Sequence, residues 1–461
     1  MSTASLNRRR AIKFSAASMA AATAFGRSGL AVGQERVAVD RAVRVVHPRG
    51  RVPLSFIIDD STCLVNMGHF CMPQFAHAWP ARDTYKQDWQ EWPREIPDAF
   101  VREFGEWCSE QGVKGKYSIV PYPACVGWLD RILPGWSRKQ LDDSLALVRD
   151  LMLPNWDIHP EMITHTRVID LKTGRPLPQA NAATMENSYP QTDISVDHLA
   201  AYLAYALRIL KNCGLPCEGV TTPGGFGNAV KDKLPIAAHQ AVRDVYGTEL
   251  PHYFKYVRSG DQPVVPSLEY TTPAKRIEDL TMNVPAGTGD WFGSWEGSKT
   301  PEADRYCNKD ATAGRMVELI ERGEPAVMLC HWPGMYCNGT KEGFHAFQNV
   351  VTSLASRFAD QTLWMKVSEI GRYWAVKETA QIEPLADNTI EVRSKLACQD
   401  FTLEVAADRL SNEPSIVHQG ESLRLRQVAS KRDLQTNSVA IDEGKLLICV
   451  DLNAGVSTIH V

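Results

Sequence analysis

Val52-Pro53-Leu54-Ser55-Phe56-Ile57-Ile58-Asp59-Asp60-Ser61 is the stretch on which the reading of this chain turns. From Val52 to Ile58 it is almost wholly apolar, and it ends in two adjacent carboxylates. A short apolar run bounded by turn residues reads as a buried strand. Carboxylates at the end of such a strand are costly to bury without partners, and a divalent cation is one partner that offsets the cost. Consecutive side chains in the loop that follows point in different directions. One aspartate can therefore hold a metal while the other faces substrate. Asp-Asp-Ser is also a common turn or helix cap, and the stretch alone leaves both readings open.

Outward from this strand, apolar runs alternate with amphipathic helical patterns from about Arg51 to Lys377. Helices are expected over Pro93 to Gln111, from Ser137 to about Leu153, over Ser195 to Cys213, over Ala311 to Arg322, and along the face Phe344, Phe347, Val351, Leu354 and Phe358. Ser137 to Gln140 has capping-box spacing. Strands are expected at Lys116 to Val120, Trp156 to Ile158, Glu218 to Thr222 and Pro325 to Cys330. This alternation predicts an α/β fold with a mostly parallel sheet, open or closed into a barrel over residues 45–377. After Thr379 short alternating runs replace the helical patterns, so residues 380–461 are expected to form a small β-sandwich-like domain.

The bulk properties exclude several classes. The 461 residues are 44% hydrophobic and 23% charged, as in an ordinary globular protein. A formal net charge of -4 gives no reason to expect nucleic acid as a partner, and no apolar run reads as a stable membrane span. The eleven cysteines are scattered without a Cys-x-x-Cys pair. Cys213 and Cys217 are the nearest candidates for a disulfide. Residues 1–33 carry Arg8-Arg9-Arg10 ahead of a mild Ala-rich segment. They resemble a twin-arginine signal peptide, which implies the twin-arginine export machinery as a partner and the periplasm or cell envelope as destination.

Two further segments hold chemistry. In Trp156-Asp157-Ile158-His159-Pro160-Glu161-Met162-Ile163-Thr164-His165, two histidines flank a short segment just after a strand, an arrangement able to bring both imidazoles to one ion. Glu161 between them reads as a ligand or a solvated acid, with the solvated acid the favoured reading. In Leu329-Cys330-His331-Trp332, a histidine ends a very apolar strand.

The three segments together resemble the NodB-homology (polysaccharide deacetylase) family, which has an Asp-Asp motif, a His-x-x-x-His motif and a Leu-x-His motif in this order. The resemblance spans roughly residues 50 to 375 and implies a distorted (β/α)7 barrel. It further implies Asp59 as general base, Asp60, His159 and His165 as ligands of a divalent metal, and His331 as general acid. Zinc suits such a site, and nickel, cobalt or iron also fit. The substrate implied is an acetylated glycan or amino sugar, losing an N-acetyl or O-acetyl group. Two features depart from the pattern. The histidine spacing is six rather than four, and Thr221 to Gly227 stands where the family has an Arg-containing motif. Gly224 and Gly225 there are expected to let backbone approach substrate. Asp290 matches the family's fourth-motif aspartate, expected to support the base, and Trp291, Trp295 and Trp332 are candidate sugar-stacking walls. Two rivals remain open. One is a glycoside hydrolase pairing Asp60 with Glu161 or Asp290, and the other is an exported, catalytically inactive sugar-binding protein.

Overall fold

The computed structural model describes residues 43–61, 63–385 and 388–461. The proposed signal peptide lies outside the described residues.

The apolar run opening at Val52 forms strand β1 (Val52–Ser61). It is followed in chain order by β2 (Gly115–Ile119), β3 (Trp156–Pro160), β4 (Gly219–Thr221), β5 (His252–Phe254), β6 (Leu280–Asn283) and β7 (Ala326–His331). One parallel sheet has the order β7-β1-β2-β3, with Thr362–Trp364 also paired to β1. A second has the order β4-β5-β6, parallel throughout, with Ser267–Tyr270 antiparallel at its edge. A bridge between Glu161 and Thr221 joins β3 to β4. At the other margin the Gly287 N–H donates to the Val327 carbonyl at 2.8 Å.

Strand alternation assigns the two faces. On β1, Phe56 and Ile58 join the large core beneath the helices, while Ile57 packs inward with Phe254, Val284, Val327 and Leu329. The inward set on the neighbouring strands is polar: Asp59, Lys116, Ser118, His159, Thr221 and His252 are all buried. The outer face is covered by α1 (Met67–Ala78), α2 (Asp98–Glu110), α3 (Arg138–Leu147), α4 (Val196–Asn212), α5 (Leu234–Tyr246), α6 (Arg315–Glu321) and α7 (Glu342–Phe358). The 17 residues of α4 start at the Ser195 cap, whose side chain accepts the His198 N–H.

Three helix boundaries differ from expectation, each for a local reason. Residues 93–97 lie ahead of the helix, because Ile96 N–H donates to the Leu64 carbonyl and Pro97 disfavours helix at the residue before it. The predicted helix to Leu153 leaves α geometry at Val148, where a π turn runs to Met152. Only at Arg315 does α6 begin, because Gly314 ahead of it sits at φ +111°.

Beyond α8 (Val367–Thr379) two five-stranded, largely antiparallel sheets follow. The strand Arg44–Val45, ahead of β1, pairs with Glu404 and Leu403 in one of them. Their core is continuous with the α/β part: Leu250, Leu280, Met282, Tyr373 and Trp374 pack with Ile390, Phe401, Leu403 and Ile448. The sandwich and the α/β part thus share apolar surface. All eleven cysteines are free thiols, Cys213 and Cys217 included. Among the described residues no helix is long and apolar enough to cross a membrane.

Candidate active site

The carboxyl ends of β1, β3 and β7 gather the chemistry-bearing residues. Register sets the first pairing: His331 on β7 lies opposite Asp59 on β1. Asp60 sits where the β1–β2 register shifts, between Ile58 and Ser61, with φ +53°, and the loop after β3 carries two more left-handed non-glycine residues, Met162 (φ +50°) and His165 (φ +62°). Backbone conformations of this kind store about 1–3 kcal/mol each and cluster at functional sites.

Asp60, Glu161 and His165 converge, with one potential ligand atom from each lying within 4.8 Å of the others. His165 Nε2 is 2.6 Å from Asp60 Oδ1 and 3.5 Å from Glu161 Oε1. All three side chains are buried. The close approach of His165 to Asp60 lacks hydrogen-bond angles, and both Asp60 Oδ1 and His165 Nδ1 have no hydrogen-bond partner. Buried polar atoms are normally paired. Two carboxylates and an imidazole aimed at one another, with orphaned atoms, fit a divalent cation. Burial disfavours the His165 imidazolium, but the negative charge of Asp60, with Cys71 and Glu161 alongside, outweighs it and holds its pKa well above the usual histidine range. A bound cation would replace that proton.

The placement of these side chains differs from two sequence expectations. Glu161 is not a solvated acid: it is 2% exposed, and its Oε2 accepts the Asp60 N–H at 2.8 Å. His159 is not brought to Asp60 and His165. Its Nε2 lies 2.8 Å from His252 Nε2 and its Nδ1 3.2 Å from Thr221 Oγ1. The reason is strand periodicity. Residues 159 and 161 face the same way, but two residues advance the chain by about 6.6 Å. Glu161 therefore reaches the level of Asp60, and His159 remains one layer deeper. Gly219 leaves that layer its space, since a Cβ there would stand 2.7 Å from His159 Nε2. Burial first, then the charges of His252 and Lys116, keep His159 neutral.

Asp59 is held by a residue that the sequence reading missed. Lys116 is fully buried, and its Nζ donates to Asp59 Oδ1, to Ser118 Oγ and, at 2.8 Å, to Thr221 Oγ1. Ser118 Oγ also donates to Asp59 Oδ1 at 2.8 Å. All three ammonium donors are thus used, and Asp59 Oδ1 is occupied. Burial raises the Asp59 pKa, against the pull of Lys116. The signal in the sequence was a lysine inside an otherwise buried strand, Gly115 to Ile119, where an unpaired charge is untenable.

His331 is oriented by Asp290, whose Oδ2 is 2.6 Å from His331 Nδ1. Asp290 therefore supports the expected acid and not the base. Burial works against protonation of His331, but Asp60, Asp290 and Asp59 outweigh it and push its pKa up to about 10. Its side chain keeps 20% exposure, against 5% for Asp59.

The aromatic expectations divide. Trp332 is 1% exposed and packs on Phe100, Phe104 and Tyr117, so it is core and not a sugar wall. Trp295 is half-buried against Phe75 and Tyr85, and the Phe75 ring centroid is 6.2 Å from that of His165. Trp291 is half-buried with the Arg305 guanidinium over its ring at 4.3 Å. The approach that Gly225 makes is to protein: its N–H donates to the Asn187 carbonyl at 2.7 Å, and a Cβ would stand 2.8 Å from that oxygen. Gly224, at φ +42°, faces the same Asn187.

No family model matches this chain, and no curated protein matches it. Among solved structures it is similar to a candidate polysaccharide deacetylase from Mycobacterium smegmatis, at 12% identity over 71% of this chain and 92% of the other, with TM-score 0.38. It is also similar to a candidate glycoside hydrolase/deacetylase from Parabacteroides distasonis, at 12% identity over 84% and 86% of the two chains, with TM-score 0.38. A 4-alpha-glucanotransferase from Thermococcus litoralis is similar at 12% identity over 69% of this chain and 40% of the other, with TM-score 0.35.

Proposed function

We propose that this chain is a metal-dependent hydrolase that removes acetyl groups from an N-acetylated or O-acetylated carbohydrate. The observation that carries the reading is the convergence of Asp60, Glu161 and His165 beside two differently prepared proton-transfer groups, Asp59 and the Asp290–His331 pair. In the same reading the two parallel sheets make one distorted seven-stranded barrel, with the bridge at Thr221 and the Gly287 hydrogen bond as its seams. Export by the twin-arginine pathway is proposed from Arg8 to Arg10 alone.

A divalent cation held by Asp60, Glu161 and His165 supplies a polarised carbonyl and a more acidic water. The chain's own residues do the rest. Lys116 and Ser118 occupy Asp59 Oδ1, so Oδ2 is the oxygen able to take a proton from the attacking water. Hydrolysis adds that water oxygen to the acetyl carbon and breaks the carbon–nitrogen (or carbon–oxygen) bond. Asp290 occupies His331 Nδ1, so Nε2 is the nitrogen that delivers a proton to the departing amine or alcohol. Each such transfer is typically worth ~10²–10⁴ in rate.

The glycosidase reading fits the geometry less well. The spacing speaks only against an inverting pair, which needs its carboxyls roughly 6.5–9.5 Å apart where a retaining pair needs roughly 5–5.5 Å; against a retaining pair speaks the imidazole of His165, which Asp60 and Glu161 both face with ligand atoms within 4.8 Å of one another. The deciding experiment is metal analysis of the purified protein together with acetate release from N-acetylated and O-acetylated glycans. Stoichiometric metal with metal-dependent acetate release supports the proposal. Cleavage of glycosidic bonds by metal-free protein would overturn it.

A further inference from the structure

The ligand His165 stands in a loop, six residues after His159, with left-handed backbone. What fixes it there is a carboxylate from another part of the chain. Glu186 is fully buried, and among the described residues no lysine or arginine forms an ion pair with it. Its two oxygens accept three consecutive backbone N–H groups: Ile163 at 3.2 Å on Oε1, then Thr164 at 3.0 Å and His165 at 2.6 Å on Oε2. Tyr202 on α4 donates its hydroxyl to Oε1. The Glu186 N–H in turn donates to the Thr166 carbonyl at 2.7 Å, so loop and carboxylate grip each other from both sides. Successive N–H groups that point the same way form an anion-binding concavity. In this loop the anion is a side chain of the protein.

We infer that Glu186 is a positioning residue for the metal centre, setting the left-handed backbone of His165 so that its imidazole meets Asp60 and Glu161. The inference rests on the metal-centre reading above. A neutral amide has only one accepting oxygen and cannot serve three donors from two sides. A shorter carboxylate cannot span them. Groups one shell out from a metal typically change its affinity 10–100-fold when lost, and Glu186 acts further upstream, on the backbone of the ligand itself.

The test uses the full chain, with Zn2+ affinity read by chelator competition and the ligand field read from the absorption of the Co2+-loaded protein. Glu186→Gln and Glu186→Asp should each bind Zn2+ about tenfold or more weakly, with an altered Co2+ spectrum. Tyr202→Phe keeps the ring in the core and removes the hydroxyl, which donates to Glu186 Oε1 and accepts the Ile169 N–H at 3.4 Å. It should weaken binding a few-fold. Wild-type affinity and spectrum in Tyr202→Phe and in any folded Glu186 variant would overturn the inference. If neither Glu186 variant folds, the Tyr202→Phe result decides alone. Failure of the wild type to bind either ion would instead remove the metal centre, an outcome distinct from failure of the Glu186 role.

Discussion

Asp290 Oδ2 lies 2.6 Å from His331 Nδ1, tying the loop after β6 to the end of β7 and leaving Nε2 as the ring nitrogen that Asp290 does not engage. The proton on His331 is stabilised by Asp60, Asp290 and Asp59 against the opposing effect of burial. A general acid must be protonated, so turnover should fall as pH rises through its pKa. Asp290→Asn removes one of the stabilising charges and should move this alkaline limb to lower pH while cutting kcat by ~10². A pH–rate profile of the variant with an unmoved alkaline limb would sink the assignment.

Ligand identity is tested by metal stoichiometry in three variants. Glu161→Gln and His165→Ala should lose most of the bound metal, because each removes one of the three potential ligands that converge among the described residues. His159→Asn should keep it, since His159 faces His252 and Thr221 instead. Loss of metal in His159→Asn with an intact fold would restore the two-histidine site.

Lys116 and Asp59 are a buried ion pair, and removing one partner leaves an uncompensated charge. Lys116→Met should destabilise the protein by about 3–5 kcal/mol, read by chemical unfolding. Asp59→Asn should retain the metal and lose turnover by ~10² or more. In the double variant no charge is stranded, so its stability should exceed that of Lys116→Met alone. Strict additivity of the two losses would show that the pair does not act as one unit.

Stability should fall in acid through His252. Burial, more than the nearby charges of Lys116 and Arg372, lowers its pKa from 6.5 to about 4, with Glu218 opposing. Above 6.5 the group is neutral in both folded and unfolded chains and its contribution is whole. As pH falls from 6.5 to about 4 the unfolded chain gains a proton that the folded one refuses, and stability is lost by up to about 3 kcal/mol. His252→Asn should flatten the dependence of Tm on pH across that window, whatever its effect on Tm itself. An unchanged slope would mean that His252 is not the group responsible.

Ending the chain near Lys377 should not leave a well-behaved α/β unit. Leu280, Met282, Tyr373 and Trp374 pack into the core shared with the sandwich, and truncation would expose them. Insolubility or a broadened, early thermal transition is expected. A soluble truncated protein with wild-type Tm would contradict the shared core.

The amino-acid sequence by itself determined the strand ending in Asp59-Asp60, the alternation of strands and helices, the change to β structure after Thr379, and the placement of Asp59, Asp60, His159 and His331 at strand ends. These follow from patterns local to the chain, where hydrophobic periodicity and the cost of burying polar groups act over a few residues. Only the tertiary structure decided which of His159 and Glu161 stands beside Asp60, because that depends on depth: both face inward, and about 6.6 Å along the chain separates the layer of His252 from the layer of Asp60. It also decided that Lys116 is the partner of Asp59, that Asp290 belongs to His331, and that Glu186 shapes the loop of His165. Each of these pairings joins residues that lie 21 to 57 positions apart. No local periodicity reaches that far. A buried charge declares in the sequence that it needs a partner, but only the packing of distant strands says which partner it has.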